Sequence, residues 1–119
     1  MKQTPAYING DGEQTRDFTF IDNAVQVNIK GMLTDNPAAL NKVYNVAVGE
    51  NFSVNYLYNA CTDYLKADFP ATYREPRAGD IRNSLADISL AKNLLGYQPV
   101  KKFEEGLTDT IEFFKQLYS

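Results

Sequence analysis

Short apolar runs with the two-residue period of a strand alternate along this chain with longer stretches whose apolar residues recur every three to four positions. Turns rich in Gly, Asn and Pro separate them. A helix or a small sheet buries only one face, so elements that alternate in this way must pack on each other. The pattern predicts an α/β unit of small strand pairs with about four amphipathic helices. With 119 residues there is room for one modest core but not for a second complete domain. No repeat, low-complexity tract or linker interrupts it.

Pro5 to Asn9 reads as a strand, Asn9-Gly10-Asp11-Gly12 as a tight turn and Arg16 to Ile21 as a second strand, together a hairpin. Asp22 suits the N-cap of a helix with Val25, Ile29, Met32 and Leu33 inward, stopped by Asp35-Asn36-Pro37. Val43 to Val48 is a continuous apolar run, expected as a buried strand closed by Gly49. Ser53 caps a helix whose Val54, Leu57, Cys61, Tyr64 and Leu65 share one face; Pro70 precedes an extended Ala71 to Glu75. Asp87 opens a short helix with Leu90, Ala91, Leu94 and Leu95 inward, Gly96 at its left-handed end and Pro99 beyond. Phe103, Leu107, Ile111, Phe114 and Tyr118 form the stripe of a closing helix.

Histidine is absent, which removes Ser-His-Asp and Cys-His nucleophilic machinery and the His-based zinc motifs. Cys61 is the one cysteine, so no disulfide framework or cysteine-rich metal cluster can form, and a small core residue is its expected role. The net charge of −3 with scattered basic residues argues against a nucleic-acid surface. No apolar run approaches the ~18 residues of a membrane span. Met1-Lys2-Gln3-Thr4 has none of the features of a secretory signal, so the expected compartment is the cytoplasm.

Three segments carry candidate chemistry. Gly10-Asp11-Gly12 starts like a phosphate loop, but position 15 is Thr and a strand pattern follows, so no helix N-terminus faces a pyrophosphate. Arg16, at the mouth of that strand, offers a planar fork for a phosphate, although an ion pair with a neighbour such as Asp17 is the commoner use of a surface arginine. Arg77-Ala78-Gly79-Asp80-Ile81-Arg82-Asn83-Ser84 places a fixed cation, a glycine and a carboxylate where a nucleoside diphosphate needs them, with Arg74 and Arg82 adding charge; the same cluster also suits a solvated loop. Tyr97-Gln98-Pro99-Val100-Lys101 has the Tyr-x-x-x-Lys spelling of a dehydrogenase active site. Pro99 breaks the helix that would set both side chains on one face.

Taken together, INGDGEQTRDFTFIDNAVQ, VYNVAVGENFSVNYL, REPRAGDIRNSLADISLAKNLLGYQP and EEGLTDTIEFF resemble, in order and spacing, the second half of NAD-dependent UDP-hexose 4-epimerases. The likeness is to the extended short-chain dehydrogenase/reductases, and within them to bacterial UDP-N-acetylglucosamine 4-epimerases. The resemblance implies that residues 1–119 are a carboxy-terminal nucleotide-sugar-binding domain lacking its Rossmann partner. Arg16 and Arg77 would then clamp a pyrophosphate, Asp80 bind the ribose, and Tyr7 and Asn9 lie against the uracil. Ser84 would form a wall of the sugar pocket, small enough for an N-acetyl group.

The family reaction passes a hydride from C4 of the sugar to NAD and returns it to the opposite face. NAD and the catalytic Tyr-x-x-x-Lys would belong to the missing amino-terminal domain, so residues 1–119 are expected to be inert alone, to expose an apolar patch and to bind UDP-sugars weakly. The full-length protein is expected to be a homodimer with no membrane or nucleic-acid partner. A related nucleotide-sugar dehydratase, decarboxylase or reductase shares the scaffold, and a stand-alone binding module is a further alternative.

Overall fold

The computed structural model describes residues 5–118. Residues 1–4, on which the expectation of a start without a secretory signal rests, lie outside them, as does residue 119. Among the described residues are four α-helices and two two-stranded sheets, a mixed α/β fold of the kind the pattern predicts. The chain divides into two compact units where the sequence suggests one. The first takes in the chain up to Arg16, Asn51–Ser84 and the residues from Leu107 onward; the second takes in Asp17–Glu50 and Leu85–Gly106.

In the first unit, β1 (Tyr7–Asn9) pairs in parallel with β4 (Thr72–Arg74), and β2 (Thr15–Arg16) pairs antiparallel with β3 (Phe52–Ser53). The expected hairpin across the Gly turn does not form, and the second strand is shorter than Arg16 to Ile21. The backbone partners explain why. β1 is committed to β4, a ladder continued by Gly10 N donating to Arg74 O at 2.8 Å, while the Asn9 carbonyl accepts from Gln14 Nε2 at 2.9 Å. Gly10 and Gly12, with φ of 71° and 76°, turn the chain away.

The first helical turn after β3 closes over Gly12: Asn55 N donates to the Gly12 carbonyl at 2.9 Å, and a Cβ on Gly12 would lie 2.0 Å from Asn55 Oδ1. That helix, α2 (Val54–Leu65), begins on Ser53, whose Oγ accepts from Tyr56 N at 3.0 Å. Its expected inner face is incompletely covered: Val54, Leu57 and Cys61 are half-buried, whereas Tyr64 and Leu65 are exposed.

In the second unit, α1 (Ile21–Leu33) follows Phe20 without a side-chain cap. Asp22 sits in the first turn, where its charge favours the helix N-terminus, and is not the cap. The expected inward face is also corrected: Val25, Ile29, Met32 and Leu33 are 46–78% exposed, and Asn23 and Val27 are buried instead. Asn23 sets this rotation. Its Oδ1 accepts from Val100 N (2.7 Å) and Lys101 N (3.1 Å), and its Nδ2 donates to the Lys101 carbonyl (2.8 Å). Turning the apolar stripe inward would leave all three backbone groups without this partner. Val27 instead joins Ala47, Ile88, Ala91 and Tyr97 in the core.

Asn36 caps a 3₁₀ turn (Pro37–Ala39) through Ala38 N. Val43 to Val48 forms no strand: Val43 is 91% exposed, and only Ala47 and Val48 of the run are buried. Among the described residues no strand lies beside it, and the N–H groups of Val48 and Gly49 donate to the two oxygens of Asp17 at 3.0 and 2.8 Å.

Helix α3 (Ser89–Leu95) starts beside Asp87, whose Oδ1 accepts from Ser89 N at 2.8 Å, and ends at Gly96 with φ of 61°. Ala91 is fully buried, Leu94 and Leu95 are half-buried, and Leu90 is exposed, contrary to its expected place. The last helix, α4 (Phe103–Leu117), buries Phe103 and Ile111. The end of its expected stripe, Phe114 and Tyr118, is exposed, with the two rings stacked 6.1 Å apart. No helix among the described residues is long and apolar enough to cross a membrane.

Candidate functional site

A cavity of about 480 Å³ opens in the first unit, between the end of β1, the Gly turn and the segment after β4. Its chemistry comes from Asn9, Asp11, Arg74, Arg77, Asp80 and Arg82. Parallel register sets Asn9 beside Arg74. Arg77 and Asp80 are the ends of a turn closed by Asp80 N donating to Arg77 O at 3.1 Å, with Gly79 in its third position at φ of 78°. A positive φ there is the requirement of a type II turn, which is the local reason for glycine between the cation and the carboxylate.

The segment after that turn is stitched to β2: Thr15 N donates to Arg82 O (2.9 Å) and Ser84 N to Thr15 O (3.2 Å). Side chains add to the seam. Arg82 Nη1 lies 2.7 Å from Asp11 Oδ1, and this bond holds the Asp11 carboxyl below the usual aspartate range while raising the Arg82 pKa. Arg16 Nη2 lies 2.5 Å from Asp80 Oδ1, and its Nη1 donates to the carbonyls of Thr15 and Ile81 at 2.6 Å. Of the five donors of a guanidinium, Arg16 uses three among the described residues and keeps its Nε–H and one Nη2–H for another partner. Among the described residues the Arg77 guanidinium has no hydrogen-bond partner, so the cavity lining holds one fully available cation beside the anchored Arg74 and Arg82, and Arg16 reaches it through Asp80.

The six residues singled out from the sequence are therefore placed unequally. Asn9, Arg77 and Asp80 line the cavity, and Arg16 joins it through Asp80. The ion pair foreseen for Arg16 exists, but with Asp80 rather than Asp17, whose carboxylate is taken by Val48 and Gly49. Tyr7 is 56% exposed and connects through Arg74, whose guanidinium carbon sits 5.3 Å from its ring centroid. Ser84 is exposed beside β2, outside the cavity lining. Asp11, Gln14 and Glu75 also line the cavity, and Arg74 and Arg82 have fixed partners there beyond the charge the sequence suggests. Their places depend on β1 meeting β4 and on the seam to β2, and neither pairing has a local signature.

The look-alike motifs resolve on geometry. Tyr97 is fully buried and its hydroxyl donates to Ala47 O at 2.7 Å, with burial raising its pKa. Lys101 lies 3.7 Å from Asp22 and over the Phe20 ring, so this pair is not set out as a base and its partner. Burial likewise raises the Cys61 thiol, the opposite of what a nucleophilic thiolate needs. The Gly turn does not fit a dinucleotide: Asn55 fills the space over Gly12, and a strand follows.

Short strand pairs and helices with an arginine-rimmed cavity define a mixed α/β lobe, and comparison with known proteins identifies its family. Residues 1–110 match the family described as GDP-mannose 4,6 dehydratase. The chain belongs to this family of nucleotide-sugar enzymes, within the extended short-chain dehydrogenase/reductases.

It is 34% identical over 108 residues to a UDP-glucose 4-epimerase of Mycolicibacterium smegmatis, covering 91% of this chain and 34% of the relative. It is also similar to the structure of a UDP-N-acetylglucosamine 4-epimerase from Methanobrevibacter ruminantium in complex with UDP-N-acetylmuramic acid (37% identity, TM-score 0.85, 95% of this chain and 35% of that one). A UDP-glucuronic acid 4-epimerase from Bacillus cereus, solved with UDP-glucuronic acid and NAD, matches at 30% identity and a TM-score of 0.89 over 96% of this chain and 36% of that one. The chain thus spans about a third of the length of these relatives.

Proposed function

We propose that the cavity binds the nucleoside diphosphate of a UDP-sugar and that the chain serves as the substrate-binding part of a UDP-sugar 4-epimerase. The observation that carries this is the turn that sets Arg77, whose guanidinium has no partner among the described residues, beside Asp80 on one cavity, with Arg16 anchored to Asp80 behind it. A phosphate oxygen takes two parallel N–H bonds from such a fork, and a carboxylate accepts from paired ribose hydroxyls. In this reading Arg77 and the remaining donors of Arg16 hold the diphosphate, Asp80 takes the ribose, and Tyr7 and Asn9 face the base. Ser84, small and exposed, leaves room for an N-acetyl hexose.

NAD and the Tyr-x-x-x-Lys pair are assigned to a dinucleotide-binding domain outside these residues. The exposed face of α1 and the length of the relatives support that assignment. The cofactor supplies the hydride chemistry when bound; this chain's residues bind and orient the sugar nucleotide. On its own the chain is expected to be inactive. Joined to its partner domain it is expected to work in the cytoplasm as a homodimer.

Titration of the ¹⁵N-labelled chain with UDP and with inorganic pyrophosphate tests the binding. Both ligands should shift the amides of Arg77, Gly79 and Asp80, and Arg77→Ala should weaken both by about ten-fold, the worth of a charged hydrogen-bonding partner. Unshifted amides in that turn would refute the reading. Joined to a dinucleotide-binding domain, the chain should convert UDP-N-acetylglucosamine to its C4 epimer without net NAD reduction; a dehydrated product would assign it to the dehydratases instead.

A further inference from the structure

Asn9 is held at both ends. Its carbonyl accepts from Gln14 Nε2 at 2.9 Å, and its side-chain Oδ1 accepts from Arg74 Nε at 2.5 Å. Arg74 is in turn fixed from two sides, by this bond and by the Tyr7 ring beneath its guanidinium at 5.3 Å. Amide oxygen and nitrogen are nearly isosteric, and an amide left to itself flips to suit its surroundings. Here it has no such freedom. An arginine Nε–H can only donate, so the oxygen of Asn9 must face Arg74. The other end, Nδ2, has no partner among the described residues, and Asn9 is one of the residues that line the cavity. With its oxygen committed to Arg74, the amide has only a donor left to offer a ligand there.

We propose that Arg74 sets the base preference of this cavity by fixing the flip of the Asn9 amide. A nucleoside diphosphate whose base offers a carbonyl there is accepted, and one that offers an amino group is refused. The inference rests on the nucleoside diphosphate reading of the cavity. Uracil carries an acceptor oxygen at the position where cytosine carries an amino donor. Two donors facing each other leave both without an acceptor, and that mismatch separates the two bases by about ten-fold or more. Arg74 touches neither the base nor the phosphates in this scheme; it is a positioning residue that acts through Asn9.

The test compares UDP with CDP on the ¹⁵N-labelled chain, with inorganic pyrophosphate as a ligand that has no base. All three residues of β4 are exposed, so substitution of Arg74 empties no core, and unchanged amide shifts in α2 of the same unit confirm folding. The unsubstituted chain should bind UDP about ten-fold more tightly than CDP. Arg74→Lys, still a donor, should keep the preference. Arg74→Ala frees the amide to rotate, and the ratio should fall towards one. Arg74→Glu offers an acceptor, turns Nδ2 inward and Oδ1 outward, and should invert the ratio in favour of CDP.

Loss of charge at position 74 affects UDP and CDP alike, so the ratio isolates the flip. A ratio that stays the same in Arg74→Ala and Arg74→Glu, or a parent chain that does not distinguish UDP from CDP, overturns the proposal. If pyrophosphate and UDP both leave the Arg77 and Asp80 amides unmoved, the diphosphate reading itself falls and takes this inference with it.

Discussion

Replacing Asn23 by Ala should be among the most damaging single changes in the second unit, although Asn23 is polar and lies on a helix with exposed apolar residues. The side chain is 0% exposed and makes three hydrogen bonds to backbone groups of Val100 and Lys101, at 2.7, 2.8 and 3.1 Å. Truncation leaves two N–H groups and one carbonyl without their partner; at about 1 kcal/mol net for each bond the loss is about 3 kcal/mol. An unfolding entropy of about 2.1 cal/mol/K per residue gives about 250 cal/mol/K for a chain of this length, so Tm should drop by roughly 12 °C.

Asn23→Asp separates hydrogen bonding from volume. The new carboxylate still accepts from both N–H groups but opposes the Lys101 carbonyl, so about 1–2 kcal/mol should be lost at neutral pH. Burial and that carbonyl raise the pKa of the introduced carboxyl in the folded state, and protonation restores a donor. The deficit should therefore shrink as pH falls from 7 towards the unfolded aspartate value of about 4. Thermal unfolding followed by far-UV circular dichroism at several pH values reads both effects. A loss below about 0.5 kcal/mol for Asn23→Ala, the range of an ordinary surface change, would refute the claim that Asn23 orients α1.

Gly12→Ala should cost about 2 kcal/mol or more, because a positive φ of 76° is combined with a Cβ 2.0 Å from Asn55 Oδ1. Asn55 cannot swing aside freely, since it bonds Asp11 O at 3.0 Å and accepts from Tyr73 OH at 2.9 Å; a lower urea midpoint is the readout. The Asp11–Arg82 pair should make stability depend on pH with a definite sign. The folded Asp11 pKa lies below its unfolded value, so the contribution is complete above the ordinary aspartate pKa of about 4 and is lost as pH falls through the lowered one. Asp11→Asn should flatten that acid limb, and 0.5 M salt should diminish it in the parent chain.

What sequence reading recovered here was local. Ser53, Asn36-Pro37 and Gly96 mark helix boundaries because a cap or a left-handed end is satisfied within a few residues of itself. Arg77 and Asp80 were legible for the same reason, as the two ends of one glycine-containing turn. The face of α1 was not, because Val25, Ile29, Met32 and Leu33 outnumber Asn23 and Val27 in any periodicity, while the rotation is decided by three backbone groups near position 100. The apolar run at 43–48 reads as a strand, but a strand exists only with a neighbour to bond, and Asp17 takes the N–H groups of its last residue, Val48, and of Gly49 after it. Strand pairing escaped for a related reason: a Gly turn between two extended stretches suggests a hairpin, and nothing near Tyr7–Asn9 announces a parallel partner at Thr72–Arg74.

The parallel pairing of β1 with β4 has a kinetic consequence. Asn9 meets Arg74 across 65 positions, Arg16 meets Asp80 across 64, and Asp11 meets Arg82 across 71. Closing a loop of that size costs roughly 3–4 kcal/mol of chain entropy before any contact repays it, so these pairs form late in folding. The helices capped by Ser53 and closed by Gly96 can begin to form without them. In amide hydrogen exchange after rapid refolding, α2 and α3 should gain protection before Gly10 and Thr15, whose N–H groups close the cavity onto Arg74 and Arg82. Ligand capture by this cavity is then a late marker of folding, acquired when the two distant segments meet.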